Sequence, residues 1–311
     1  MAPSTSQLPN DPSWPRAGDW SPLDEAGDEL DAVLVGIGTH TTSLSPTQAH
    51  ATPRAVREAL RRYSPHASGS TPLAALRIAD AGDASDPDAD EEGATALVAR
   101  AAGRARLAIV LGGDNAATVP AALGSWGERI ATAGLITIDA HHDLRDGRSN
   151  GSPVQRLLDA GLAGTRVAQI GIQEFANSRH YAERAEAAGI RVLSRGDLEL
   201  QGVQEIAAQA LQVAGAAGGP VHVDVDVDVC DRSVAPGCPA SVPGGISAWQ
   251  LRSLIRALVA DDRVRSIDFT EVDATADTAD GRTVRLVALG VLEALAALAG
   301  RERPVPRLRA V

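Results

Sequence analysis

The stretch Leu135-Ile136-Thr137-Ile138-Asp139-Ala140-His141-His142-Asp143 is an apolar run that ends in an acid–x–His–x–acid cluster. In extended backbone, residues i, i+2 and i+4 point to one face. Asp139, His141 and Asp143 therefore converge if the strand stays extended to its end. A second stretch repeats the grammar: in Val221-His222-Val223-Asp224-Val225-Asp226-Val227-Asp228, valine alternates with polar residues and Asp224, Asp226 and Asp228 share a face. Carboxylates packed together oppose one another's ionisation, and an oxygen-rich donor set with one imidazole suits a divalent cation. Exposed acidic loops would account for either cluster alone. Two clusters, each closing an apolar strand, point to a metal.

Outward from these stretches, short apolar runs at 31–38, 76–79, 107–111, 134–139, 167–172, 190–193, 221–226 and 264–270 read as eight strands. Helical patterns at 53–63, 94–104, 118–123, 157–161, 178–188, 203–214, 247–260 and 282–299 lie between and after them. Alternation of this kind predicts one mostly parallel sheet covered on both faces, a three-layer α/β/α single domain over 31–311. Residues 1–30 read as an irregular arm pinned to the body by Trp14 and Trp20, and 80–92 as an acidic solvated loop. In such sheets ligands bind beyond the carboxyl ends of the strands. Gly112-Gly113-Asp114-Asn115, both acidic clusters and Glu271 all fall there.

The chain has 311 residues and a net charge of −11, which argues against a nucleic-acid surface. Aromatic residues are 3% of the chain, so the core is expected from Val, Leu, Ile and Ala. No apolar run approaches the roughly 18 residues of a membrane span. Residues 1–10 lack the basic start and apolar centre of an export signal. Cys230 and Cys238 are too few for a disulfide framework and read as free thiols in a reducing cytoplasm. His142 should face away from the cluster and His222 should lie deeper in the sheet as a core residue. His40, near a strand end, stays open as a site residue.

Taken together, Gly112-Gly113-Asp114-Asn115, Asp139-Ala140-His141-His142-Asp143, Asp226-Val227-Asp228-Val229-Cys230-Asp231 with Ala235-Pro236-Gly237, Gly244-Gly245-Ile246-Ser247 and Glu271 resemble the ureohydrolase family of arginases, agmatinases and formimidoylglutamases. The resemblance implies an arginase-like fold, a two-manganese site, a small amidine or guanidine substrate and a homo-oligomer. It implies that Asp139 and Asp226 bridge two ions, that Asp143 with Asn115 completes one shell, and that His141 and Asp228 complete the other. Glu271 would accept hydrogen bonds from the substrate's nitrogens, and Asp231 would serve as an outer acceptor.

Three departures from the family pattern matter. Asn115 stands where the family has His, which would leave one ion weakly held. Asp224 stands where the family has Ser, and either adds charge near the cluster or faces a polar neighbour. The loop after Asp143 lacks the His of arginases and agmatinases, and reads Leu144-Arg145-Asp146-Gly147-Arg148-Ser149-Asn150-Gly151-Ser152-Pro153. That loop resembles the formimidoylglutamase branch. It nominates Arg145, Ser149, Asn150 and Ser152 for substrate binding, with Arg148 beside them, because guanidinium forks suit a substrate that carries carboxylates. The expected reaction is N-formimidoyl-L-glutamate and water to L-glutamate and formamide. A guanidino-substrate hydrolase releasing urea and a non-catalytic relative with a degraded metal site are the alternatives.

Overall fold

The structure, a computed structural model, describes residues 11–67 and 73–301. Its strands are β1 (Ser21–Pro22), β2 (Leu30–Ile37), β3 (Ile78–Asp83), β4 (Ala105–Gly112), β5 (Gly134–Ile138), β6 (Val167–Ile172), β7 (Arg191–Ser194), β8 (Val221–Asp226) and β9 (Val264–Thr270). They form one sheet in the order β1-β3-β2-β4-β9-β8-β5-β6-β7, parallel throughout. The eight expected strands are present. The ninth, β1, is a two-residue edge pairing of Ser21 with Ala79 and Pro22 with Asp80, too short to carry a hydrophobic pattern. It belongs to the stretch expected to be irregular. There Trp20 packs on the core, but Trp14 is 51% exposed and pins nothing. Residues 1–10, where no export signal was expected, lie outside the described residues.

The helices are α1 (Thr52–Leu60), α2 (Glu91–Ala102), α3 (Thr118–Trp126), α4 (Pro153–Asp159), α5 (Arg179–Ala187), α6 (Arg195–Gln201), α7 (Val203–Ala214), α8 (Ala248–Val259) and α9 (Arg282–Ala299). Local chemistry starts several of them. Pro53 opens α1, and Ser247 with Gln250 forms a capping box on α8. Helix α6 was not expected, although Ser194 and Asp197 form a capping box there too. Residues 80–92 also differ from expectation: β3 runs on to Asp83 and α2 begins at Glu91. Among the described residues no helix is long and apolar enough to cross a membrane.

Strand parity sorts the core. Leu34, Ile109, Ile136, Val223, Val225 and Ile267 pack with α1, α7, α8 and α9 on one face. On the other face the apolar packing is split in two. Val33, Val35 and Val110 pack with α2 in one cluster, and Leu135 and Val167 pack with α4 and α5 in another. Between these halves runs a buried polar seam made by His222, Asp224 and Asp226 on β8 and Ser266, Asp268 and Thr270 on β9. Helix α3 lies over it. Ser266 donates to Ser125 at 2.7 Å, and Trp126 sets its ring edge-on to His222. As expected, His222 is a core residue, fully buried and hydrogen-bonded to Ser266 (2.7 Å) and Asp268 (3.1 Å).

Candidate metal centre

The seam ends at the carboxyl ends of β5, β8 and β9, where the acidic residues meet. Convergence does not come from continued extension, as strand parity alone suggested. Strand β5 stops at Ile138, and Asp139 turns the chain by accepting the His141 backbone N–H at 2.6 Å. Asp143 then sits at φ +53, a left-handed conformation that a non-glycine residue adopts only at a local cost. Beyond β8, Asp226 accepts the Asp228 N–H at 2.9 Å and the chain closes into a 3-10 turn. Two Asp-capped turns therefore bring the carboxylates inward.

Two overlapping groups result. Asp139, His141 and Asp228 offer ligand atoms within 4.8 Å of one another, and so do Asp139, Asp143 and Asp226. The carboxylates are buried, whereas the His141 side chain keeps 30% of its exposure at the cavity wall. His141 Nδ1 stands 3.1 Å from Asp228 and 3.5 Å from Asp139. Asp139 Oδ2 and Asp228 Oδ1 are buried acceptors with no donor among the described residues. Burial and mutual repulsion push Asp143 and Asp226 well above the usual carboxylate range. Orphaned oxygens, an imidazole and crowded like charge are what a pair of divalent cations would satisfy, so the residues present fit the metal that the motifs imply.

Glu271 completes the floor. It too is left-handed, at φ +62, and its N–H donates to the Gly113 carbonyl. The glycine there is obligatory, because a Cβ on Gly113 would stand 2.0 Å from the Thr39 carbonyl oxygen. The Gly112-Gly113 pair thus serves a close chain crossing. One Glu271 oxygen, Oε1, accepts both the Asn115 N–H (2.8 Å) and the Asn150 amide (2.7 Å). Burial, with Asp228 and Asp114 nearby, raises Glu271 to about 8 despite those donors.

Many of the residues named from the sequence are held by partners of their own, some against expectation and some, such as His142, Asp224 and the two cysteines, in accord with it. Asn115 does not aim its oxygen at the cluster. That oxygen accepts from Thr118 (2.7 Å) and Thr270 (2.9 Å), while the amide nitrogen donates to Asp143. The Asp231 carboxylate is spent on Ser233 and on the Gly244 N–H, and so does not reach a metal ligand. Ser149 and Ser152 hydrogen-bond to each other in a turn. Arg148 turns away to Glu91 and the Asp88 carbonyl. His40 pairs with Asp88 and lies against the His50 ring at a tilt. His142 is held by Gln169 and Asn177. Asp224 faces Asp268 across β8 and β9, and burial first, then Asp268, hold it well above the ordinary carboxylate range. Cys230 and Cys238 are buried free thiols outside both ligand groups.

Arg145 faces the site, as does Asn150 in the same loop. It lines a cavity of about 240 Å³ together with His141, Asp143, Tyr181, Asp226, Asp228 and Glu271. Its guanidinium lies over the Tyr181 ring, 5.7 Å from the centroid. Among the described residues it has no carboxylate partner. Gly151 makes room for it: a Cβ there would stand 2.8 Å from Arg145 Cδ.

A model of the arginase family matches residues 30–297. A formimidoylglutamase of Halalkalibacterium halodurans is 34% identical over 256 residues, 78% of this chain and 80% of its own. A guanidinobutyrase of Pseudomonas aeruginosa is 27% identical over 285 residues, 88% of each chain. The crystal structure of formimidoylglutamase from Bacillus subtilis superposes with a TM-score of 0.87 at 26% identity, covering 96% of both chains.

Proposed function

The chain belongs to the arginase family, and on that premise we propose that it hydrolyses the formimidoyl C–N bond of N-formimidoyl-L-glutamate, giving L-glutamate and formamide. The observation that carries this reading is Arg145, a guanidinium with no carboxylate partner among the described residues, lining the same cavity as Glu271 and the acidic cluster. A carboxylate of the substrate gains a charge-assisted fork there. Agmatine, which ends in an ammonium, meets repulsion at the same place. A guanidino acid would satisfy Arg145 as well. The higher identity to a formimidoylglutamase than to a guanidinobutyrase favours the amidine.

Asp139, His141 and Asp228 would hold one manganese ion, and Asp139, Asp143 and Asp226 the other. Bound divalent ions supply a water acidic enough to be deprotonated near neutral pH. The chain's own groups do the rest. Glu271 keeps one oxygen occupied by Asn115 and Asn150, leaving the other to receive an N–H of the planar amidinium. Arg145 fixes the far end, so the carbon to be attacked is set over the cluster. Asn115, which holds Asp143 by its amide, would act on the second ion only through that carboxylate. The same reading takes residues 31–311 as one catalytic unit in a cytoplasmic homo-oligomer, with residues 1–30 as an arm on its edge.

The test is a substrate comparison on manganese-supplemented protein with N-formimidoyl-L-glutamate, 4-guanidinobutyrate and agmatine, following glutamate and urea. The expected order is that in which they are written. Agmatine as the best substrate overturns the assignment.

A further inference from the structure

Residues 39–48 run as a strap along the rim of the cavity, and both ends are fastened by carboxylates. Asp88 accepts the N–H groups of His40 and Thr41, and Asp273 accepts the Gln48 N–H and the Thr47 hydroxyl. Between these anchors, all hydrogen bonds of the strap among the described residues go to one residue. Asn150 Oδ1 accepts the Leu44 N–H at 3.0 Å, and the Asn150 N–H points to the Thr42 carbonyl at 3.4 Å. Among the described residues the buried hydroxyls of Thr42 and Ser43 find no partner. The other end of the same Asn150 amide donates to Glu271 Oε1 at 2.7 Å.

We infer that Asn150 is a positioning residue that couples the strap over the cavity to the orientation of Glu271, its carbonyl oxygen latching Leu44 and its amide nitrogen aiming the carboxylate. This rests on the reading of Glu271 as the group that meets the substrate's nitrogens. An amide suits both tasks at once, because it alone among short side chains offers an acceptor and a donor on opposite edges. Closure of the strap and orientation of Glu271 are then one event. If the strap lifts, Asn150 loses its fixed position and Glu271 keeps only the Asn115 N–H.

Two variants separate the halves. Asn150→Asp is isosteric: it keeps an acceptor for Leu44 but turns an oxygen toward Glu271. Asn150→Ala removes both contacts. The readouts are backbone hydrogen exchange of the Leu44 amide and steady-state turnover of N-formimidoyl-L-glutamate. In Asn150→Asp the Leu44 amide should stay as protected as in wild type. Its kcat should fall about tenfold to a hundredfold, the worth of one charge-assisted hydrogen bond, with KM changed less than about threefold. In Asn150→Ala the Leu44 amide should exchange roughly tenfold faster or more, with kcat lowered and KM raised together. An Asn150→Asp enzyme with wild-type kcat overturns the Glu271 half. Unchanged Leu44 exchange in Asn150→Ala overturns the strap half. If wild type hydrolyses no formimidoylglutamate while the exchange pattern holds, the functional reading fails and the latch stands.

Discussion

The Asn115 amide nitrogen lies 2.5 Å from Asp143 Oδ2, and the Asn115 oxygen is already taken by Thr118 and Thr270. The position thus acts on the carboxylate and would leave a cation to the neighbouring acids. An ion held by Asp139, Asp143 and Asp226 would then have one direct donor fewer than an imidazole at 115 would give it.

Asn115→His should tighten that ion by roughly tenfold or more, since imidazole adds a ligand where amide adds none. Calorimetric titration of chelator-treated protein with manganese should show two unequal sites in wild type and a stronger second site in the variant. Two sites of equal affinity in wild type would count against this account.

Arg145→Ala should raise KM for N-formimidoyl-L-glutamate on the order of a hundredfold, from the loss of a bidentate carboxylate contact. Turnover at saturation should fall less, because the carboxylate is remote from the bond being broken. Arg145→Lys should recover only part, having no fork. Initial rates across substrate concentration decide it. An Ala variant that behaves as wild type would make Arg145 a bystander.

The cation-free protein should lose stability as pH rises from about 5 to about 8. Burial, then Asp228, raises Asp139 to about 6, and burial with Asp228 and Asp114 raises Glu271 to about 8. An acid raised by folding stabilises the fold fully below its unfolded value, near 4, and that contribution is gone once pH passes the raised value. His141 acts in the same sense. Burial opposes its charge, but Asp228 and Asp139 outweigh that and raise it to about 12. The folded imidazole therefore keeps a proton that the unfolded one sheds near 6.5. Melting curves with chelator should show a lower midpoint at the higher pH, and manganese should restore more there. A cation-free midpoint that climbs across this window would contradict the assignment.

His222→Ala should cost about 3 kcal/mol or more, because it takes a buried hydrogen-bond partner from both Ser266 and Asp268 and opens a void beside Trp126. The urea midpoint should drop with an unchanged slope. A shift below about 0.5 kcal/mol would mean that water or a neighbour replaces the imidazole.

The strands and the acidic cluster were legible because period-2 patterning is local: valine at 221, 223 and 225 announces the buried face, and aspartate at 224 and 226 the other. The parity argument brought Asp139 and Asp143 together, as the structure does, but the turns at Asp139 and Asp143 do the converging, and a left-handed aspartate leaves no mark in one sequence. Asp231, Arg148, Ser149 and Ser152 sit beside the motifs and face elsewhere, since their partners, Gly244, Glu91 and one another, are set by how loops fold back. The double engagement of Asn150 joins positions 44, 150 and 271, a separation that spacing does not reveal.

The polar seam under α3 also acts as a proofreading device for strand alignment. A one-residue slip of β8 would turn His222, Asp224 and Asp226 into the aliphatic slab and present Val221, Val223 and Val225 to Ser266 and Asp268. Each misplaced polar group would cost about 1–3 kcal/mol. The observed alignment escapes that penalty, and it sets Asp226 beside Thr270 at the end of the seam.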